Sequence, residues 1–268
     1  MADDYKVHRF TASDGEAYTL RMSPKAHRYS VQKDGEGFWT RLPSVTTVGK
    51  SASGFDSSAA MRWQRRKIGD ALYSKLNQIV SPGLAEDVLG AADRDRDGSA
   101  DRGTLVHEWM ETFFTVMGQG VACKELGTIS SECVAIRDWA AQWKIRPIHV
   151  EQIVCNLSDP DNGYAGTLDL VAHYTHPETG EEGVGLFDLK TGRGAYQEYF
   201  VQLAAYDAAL RWMDDELPPH EGSWFVLHLP EGATEITVHE PKQDPLTNLA
   251  AFHASHYLYG YKAAARRG

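Results

Sequence analysis

The chain has 268 residues, 42% apolar and 24% charged. That is an ordinary globular composition, large enough for one sizeable core or a core with a smaller lobe. A net charge of −10 argues against a protein that coats nucleic acid by bulk attraction, but it leaves room for a local basic groove beside acids that metal ions neutralise.

Residues 5–49 read as short strands and turns, in AYTLRM (17–22), HRYSVQ (27–32) and GFWTRL (37–42), punctuated by Gly and Pro. From Ser57 to Ile79 the apolar spacing turns helical through Met61, Ile68, Leu72 and Leu76. This helix carries the dense basic cluster Arg62, Arg65, Arg66 and Lys67, which is either a solvated face or a phosphate-contacting one. The stretch GAADRDRDGSADRG (90–103) reads as a Gly- and Asp-rich surface loop. Asp93, Asp95, Asp97 and Gly98 match the start of a calcium-binding loop, but the glutamate such a loop needs at its end is replaced by Thr104, so no calcium site is expected. Helices are predicted from Thr104, as N-cap, to Met117 and from Ser131 to Lys144. Strands follow in IHVEQIVCNL, GYAGTLDLVAHY and GVGLFDLK, then a helix in QEYFVQLAAYDAALRWM. Strands in GSWFVLHL and TEITVHE precede a closing helix.

This order predicts an α/β (α+β) protein with a central mixed β-sheet flanked by helices. The expected organisation is a strand-rich segment over 1–56 packing on a core over 57–268. That core comprises a helical part (57–145) and a sheet with C-terminal helices (146–268). No window approaches the roughly 18 consecutive apolar residues of a membrane span. The opening MADDYKVHRF lacks the basic head and apolar run of a signal peptide. A cytoplasmic protein without a membrane partner is expected. Cys123, Cys133 and Cys155 form no C-x-x-C pair, which points to packing or free thiols rather than disulfides or a thiolate metal site.

Three consecutive predicted strands each carry an acid: Glu151, Asp169 and Asp188. Acids are disfavoured in strands and costly to bury unpaired, so these need compensating charge. Lys190 lies two residues after Asp188 and on the same strand face, with Phe187 and Leu189 on the other. It can neutralise one carboxylate. A divalent cation, Mg²⁺ or Mn²⁺, suits the remaining oxygen ligands; a buried Asp–Lys ion pair with Asp169 at a strand end is the alternative. His107 in GTLVH is either a helix-cap or core residue or a ligand. The adjoining HEWME has Glu111 where a zinc-protease helix needs its second His. Gln202 and Tyr206, four apart, share a helix face.

In order, GTLVH (103–107), the acid of EQIV (151–154), GTLDL (166–170), DLKTG (188–192) and QLAAY (202–206) resemble the RecB-type branch of the PD-(D/E)XK nuclease superfamily. LPSVTTV (42–48), with the Trp-bearing basic helix after it, is similar to the openings of phage and organellar exonucleases of that branch. The resemblance implies a restriction-endonuclease-like core. It also implies a DNA exonuclease dependent on Mg²⁺ or Mn²⁺, leaving 5′-phosphates in recombination, repair or phage DNA processing. A recombination or single-strand-binding protein is the partner it suggests.

The same resemblance makes Asp169, Asp188, His107 and the Leu189 backbone carbonyl metal ligands. Lys190 would orient the attacking water or stabilise developing charge, and Glu151 would act through water or hold a second ion. Gln202 and Tyr206 would position the DNA backbone or Lys190, and Arg62, Arg65 and Arg66 would guide the strand. Trp39 and Trp63 either stack on bases or pack in the core. With three cysteines and none in the closing segment, the iron–sulfur cluster of some relatives is not expected. Two other readings are a structure-specific endonuclease on the same fold and an inactive DNA-binding module.

Overall fold

A computed structural model describes residues 5–53, 66–68, 70–71, 91–119, 131–192, 194–214 and 223–265. The chain divides into two compact units, one of Met1–Ala52 with His107–Gly268 and one of Ser53–Val106. The boundaries therefore fall on either side of a central insertion, and the N-terminal strands share a unit with the acid-bearing sheet. Among the described residues no helix is long and apolar enough to cross a membrane.

The larger unit is an α+β arrangement with two sheets. The first contains β1 (Lys6–Thr11), β2 (Ala17–Ser23), β3 (Arg28–Lys33) and β4 (Thr40–Leu42), antiparallel and in chain order. Alternation decides its orientation. Leu20, Met22, Tyr29, Val31 and Leu42 are buried in the main core with Ile153, Val154 and Leu168, while Arg28 and Arg41 point outward. Ser44 then caps α1 (Val45–Ser53), its Oγ accepting the Thr47 amide at 3.1 Å. Pro43 accepts the Ala165 amide at 3.0 Å, which ties LPSVTTV to the second sheet.

The second sheet is ordered β5 (Arg146–Asn156), β6 (Tyr164–Thr175), β7 (Glu182–Lys190), β8 (Trp224–His228) and β9 (Thr237–His239). Only β7 and β8 pair in parallel. A parallel pair needs a crossover, and the helix in it is α4 (Glu198–Met213); α2 (Ala91–Gly118), α3 (Ser131–Gln142) and α5 (Pro245–Ala265) complete the helices described. α3 brings Trp139 edge-on to Phe187, with ring centroids 5.4 Å apart, and Phe187 stacks on Phe225 at 4.9 Å. Leu186 belongs instead to the core that holds Leu203, Ala204 and Tyr206 of α4. Successive β7 residues thus serve opposite faces, as expected of a strand buried on both sides.

The Asp-rich stretch 90–103 corrects the sequence reading. From Ala91 it is the first part of α2 rather than a loop, so Thr104 lies inside a helix and is not its N-cap. A helical backbone also cannot wrap an ion as a calcium loop does. Aspartates near a helix N-terminus are favourable against the dipole, and arginine is a good helix former. Gly98 costs only about 1 kcal/mol in a helix interior, and downstream Trp109, Met110, Phe113 and Phe114 anchor the helix by burial.

Candidate metal centre

The site grows from the end of a strand pairing. The β6–β7 ladder runs from Thr175/Glu182 to Leu170/Phe187 and stops. One more step in that register would put Asp169 opposite Asp188. Instead the strands part, β6 continuing along β5 and β7 along β8. Asp169 bridges the gap: its Oδ2 accepts the Leu189 amide at 2.8 Å. The Leu189 N–H is thus engaged by a site acid.

On the other edge, Val150 pairs with Leu170 and Gln152 with Leu168, so Glu151 and Asp169 face each other across the ladder without pairing. Like charges directly opposed destabilise a sheet. Glu151 also has φ +46°, the left-handed region that side-chain-bearing residues rarely adopt. The kinked peptide is held from β1, where the Lys6 ammonium donates to the Glu151 carbonyl at 3.2 Å and to Glu111 Oε1 at 3.0 Å.

His107, Glu151 and Asp169 converge, each offering one ligand atom, and these atoms all lie within 4.8 Å of one another. His107 Nδ1 is 3.6 Å from Asp169 Oδ2. Burial, and next the Asp169 charge, push the Glu151 carboxyl up to about 8, with Lys6 acting in the opposite direction. Negative charge is therefore crowded where an imidazole and two carboxylates point at one another. That donor set could hold a divalent cation.

Asp188 is not in this trio. It is almost fully buried, and Lys190 Nζ lies 2.5 Å from its Oδ2. Burial raises the Asp188 pKa despite the opposing Lys190. Burial by itself would lower the Lys190 pKa, but Asp188 and Asp169 together outweigh it and the ammonium is favoured. Tyr199 of α4 covers Lys190, with the ammonium 5.0 Å from the ring centroid. Beyond the strand end, His228 Nε2 sits 2.9 Å from the Gly192 carbonyl and ties down the turn after Lys190.

Gln202 donates to the Tyr206 hydroxyl at 2.8 Å. Tyr206 is 3% exposed, so of this pair Gln202 is the member that solvent reaches. A Cβ built at Gly166 would overlap the Tyr206 ring, which explains the glycine of GTLDL. Arg66 is exposed in the smaller unit, while Arg62, Arg65 and Trp63 lie outside the described residues. Trp39 stacks on Arg21, its ring centroid 3.8 Å from the guanidinium carbon. Cys133 and Cys155 are buried.

Sequence reasoning missed Lys6, Glu111's bond to it, Tyr199 and His228. Nothing local marks them, because each joins the site through tertiary pairing. Compared with known proteins, the chain matches no family model and no curated protein.

Proposed function

We propose that the chain is a metal-dependent deoxyribonuclease, an exonuclease that hydrolyses phosphodiester bonds to leave 5′-phosphates, built on a restriction-endonuclease-like core. One observation carries the reading: His107, Glu151 and Asp169 bring their ligand atoms within 4.8 Å of one another. The Asp188–Lys190 ion pair lies on the neighbouring strand.

In this reading His107, Glu151 and Asp169 hold Mg²⁺ or Mn²⁺, and Asp188 adds negative charge beside them while fixing Lys190. When bound, the cation supplies a more acidic water and offsets charge on the phosphate. Lys190 stays charged beside Asp188, where it orients the water and steadies the charge developing on the phosphate oxygens. Tyr199 keeps the ammonium from swinging into solvent. Gln202 is the polar group of the Gln202–Tyr206 pair able to meet a DNA backbone, while Tyr206 supports it from the core.

The test uses purified protein with Mg²⁺ or Mn²⁺ on end-labelled linear single- and double-stranded DNA, alongside covalently closed circles and a Lys190→Ala control. Loss of linear substrates alone, abolished in the variant, is the expected result. Cutting of closed circles would indicate an endonuclease. No cutting with either metal would refute catalysis and leave a binding module.

A further inference from the structure

The outward face of the N-terminal sheet has no part in the metal site, yet its chemistry is concentrated. The register places Arg21 beside Ser30 and Ser30 beside Arg41, a row across β2, β3 and β4. Arg28 follows on β3 opposite Ser23, and Lys25 stands in the turn between them. Tyr5, Ser23, Lys25, Arg28, Ser30 and Arg41 help line a cleft of about 310 Å³. Lys25, Arg28 and Arg41 are exposed, and among the described residues none has a hydrogen-bond or ion-pair partner.

In a chain of net charge −10, these exposed cations repel one another, and an anion would relieve that repulsion. Among the described residues, the acids of this sheet lie in its turns rather than in the cleft lining: Asp14 and Glu16 in the first hairpin turn, the latter paired with Lys33 at 3.0 Å, and Asp34 and Glu36 in the turn after β3.

The aromatic residues make the face more than a charge patch. Arg21 is stacked between Trp39, at 3.8 Å, and Tyr5, at 4.8 Å, from the guanidinium carbon to each ring centroid. Its buried Nε has no hydrogen-bond partner. The guanidinium is thus pre-oriented by ring faces rather than by acids. Phe38, next to Trp39, is 62% exposed. Cations interleaved with ring faces match a nucleic-acid strand, whose phosphates meet the former and whose bases stack on the latter. An acidic protein segment would use the charges and leave the exposed Phe38 ring without a counterpart.

We propose that this face is a second nucleic-acid site, binding the phosphate backbone of a strand independently of metal and of sequence. The identity of the polymer rests on the nuclease reading above, but binding here does not depend on the metal centre. It would hold the substrate while the cleavage site works, as a salt-sensitive anchor on the same unit.

The test is fluorescence anisotropy of a labelled oligothymidylate with the full chain in EDTA, at salt from about 50 to 200 mM. Wild type is compared with the triple variant Lys25→Ala, Arg28→Ala, Arg41→Ala, whose exposed positions leave the core untouched. Each lost phosphate contact lowers the slope of log K against log salt by about 0.7, so three lower it by about 2. Wild type should then lose about 20-fold more affinity than the variant over that salt range. An unchanged slope and affinity in the variant would overturn the proposal, as would a wild type that binds no strand in EDTA. Displacement of the strand by polyglutamate at equal charge would overturn it in favour of an acidic protein partner. Mn²⁺ calorimetry on both proteins separates the readings: the variant should keep wild-type affinity, and a wild type that takes no Mn²⁺ refutes the metal reading alone.

Discussion

Replacing Glu151 by glutamine keeps the shape of the side chain, its backbone and the Lys6 bond to its carbonyl, and removes one titrating proton. The unfolded carboxyl ionises near 4.5, whereas in the folded chain burial and Asp169 push it up to about 8. Between those values the folded protein holds a proton that the unfolded chain has released. Metal-free stability therefore falls as pH rises through this window, by about 1.4 kcal/mol per unit for one proton. Glutamine has no such slope. From pH 5.5 to 7.5 the Glu151→Gln variant should gain on wild type by about 3 kcal/mol, the ceiling set by one proton shared in part with Asp169 and Asp188. Urea unfolding in EDTA at several pH values reads this gap directly. A gap that stays level or narrows would refute the argument that burial and the Asp169 charge together hold a proton on Glu151. Mn²⁺ should narrow the gap, since a ligand at about 100 times its Kd adds about 2.7 kcal/mol to wild type and less to the variant.

Three further outcomes follow from the same geometry. Lys190→Ala leaves the 1%-exposed Asp188 without its nearest cation and should cost about 3–5 kcal/mol in metal-free protein, while the double change Asp188→Asn, Lys190→Met recovers most of it. Thermal melting decides, and a double variant less stable than the single one contradicts the pairing. Lys6→Met releases the strained Glu151 peptide, so Mn²⁺ affinity by calorimetry should drop about tenfold, near 1.4 kcal/mol, with Lys6→Arg restoring it; an unaltered Kd removes Lys6 from the site. Gly166→Ala drives a methyl into the Tyr206 ring and should cost about 1–3 kcal/mol. Combined with Tyr206→Leu the loss should be smaller than the sum of the two, and strict additivity would show that the ring is not the obstacle.

The second sheet was readable because β6, β7 and β8 are largely apolar runs bounded by Gly or Pro, and because the helix in QEYFVQLAAYDAALRWM separates β7 from the strand it joins in parallel. The stretch 90–103 was misread for a definite reason. Gly and Asp were weighed as turn formers, while the burial that holds α2 together lies more than a turn downstream, at Trp109, Met110, Phe113 and Phe114. Tertiary packing outranks local propensity there. α1 escaped notice likewise, since LPSVTTV is rich in β-branched residues and becomes helical through the Ser44 cap and the burial of Val45 and Val48.

At the site, what could be read was the cost of each acid in an apolar strand; what could not was the way the strands set one acid against another. Asp169 faces Glu151 on one side and, where the ladder ends, would meet Asp188 on the other, so it stands between two carboxylates. That position depends on register, which no local pattern of residues states. Nor does any local pattern link Lys6 to Glu111 and Glu151, which lie 105 and 145 residues away. The energetics of the arrangement nevertheless follow from composition: with Lys190 at Asp188 and Lys6 on the Glu151 carbonyl and Glu111, neither lysine directly pairs the carboxylates of Glu151 and Asp169. At Glu151 burial first, and the Asp169 charge next, hold a proton to about pH 8, and the peptide there is kinked. In the proposed reading, a divalent ion held by both carboxylates would favour their ionised forms and release that proton.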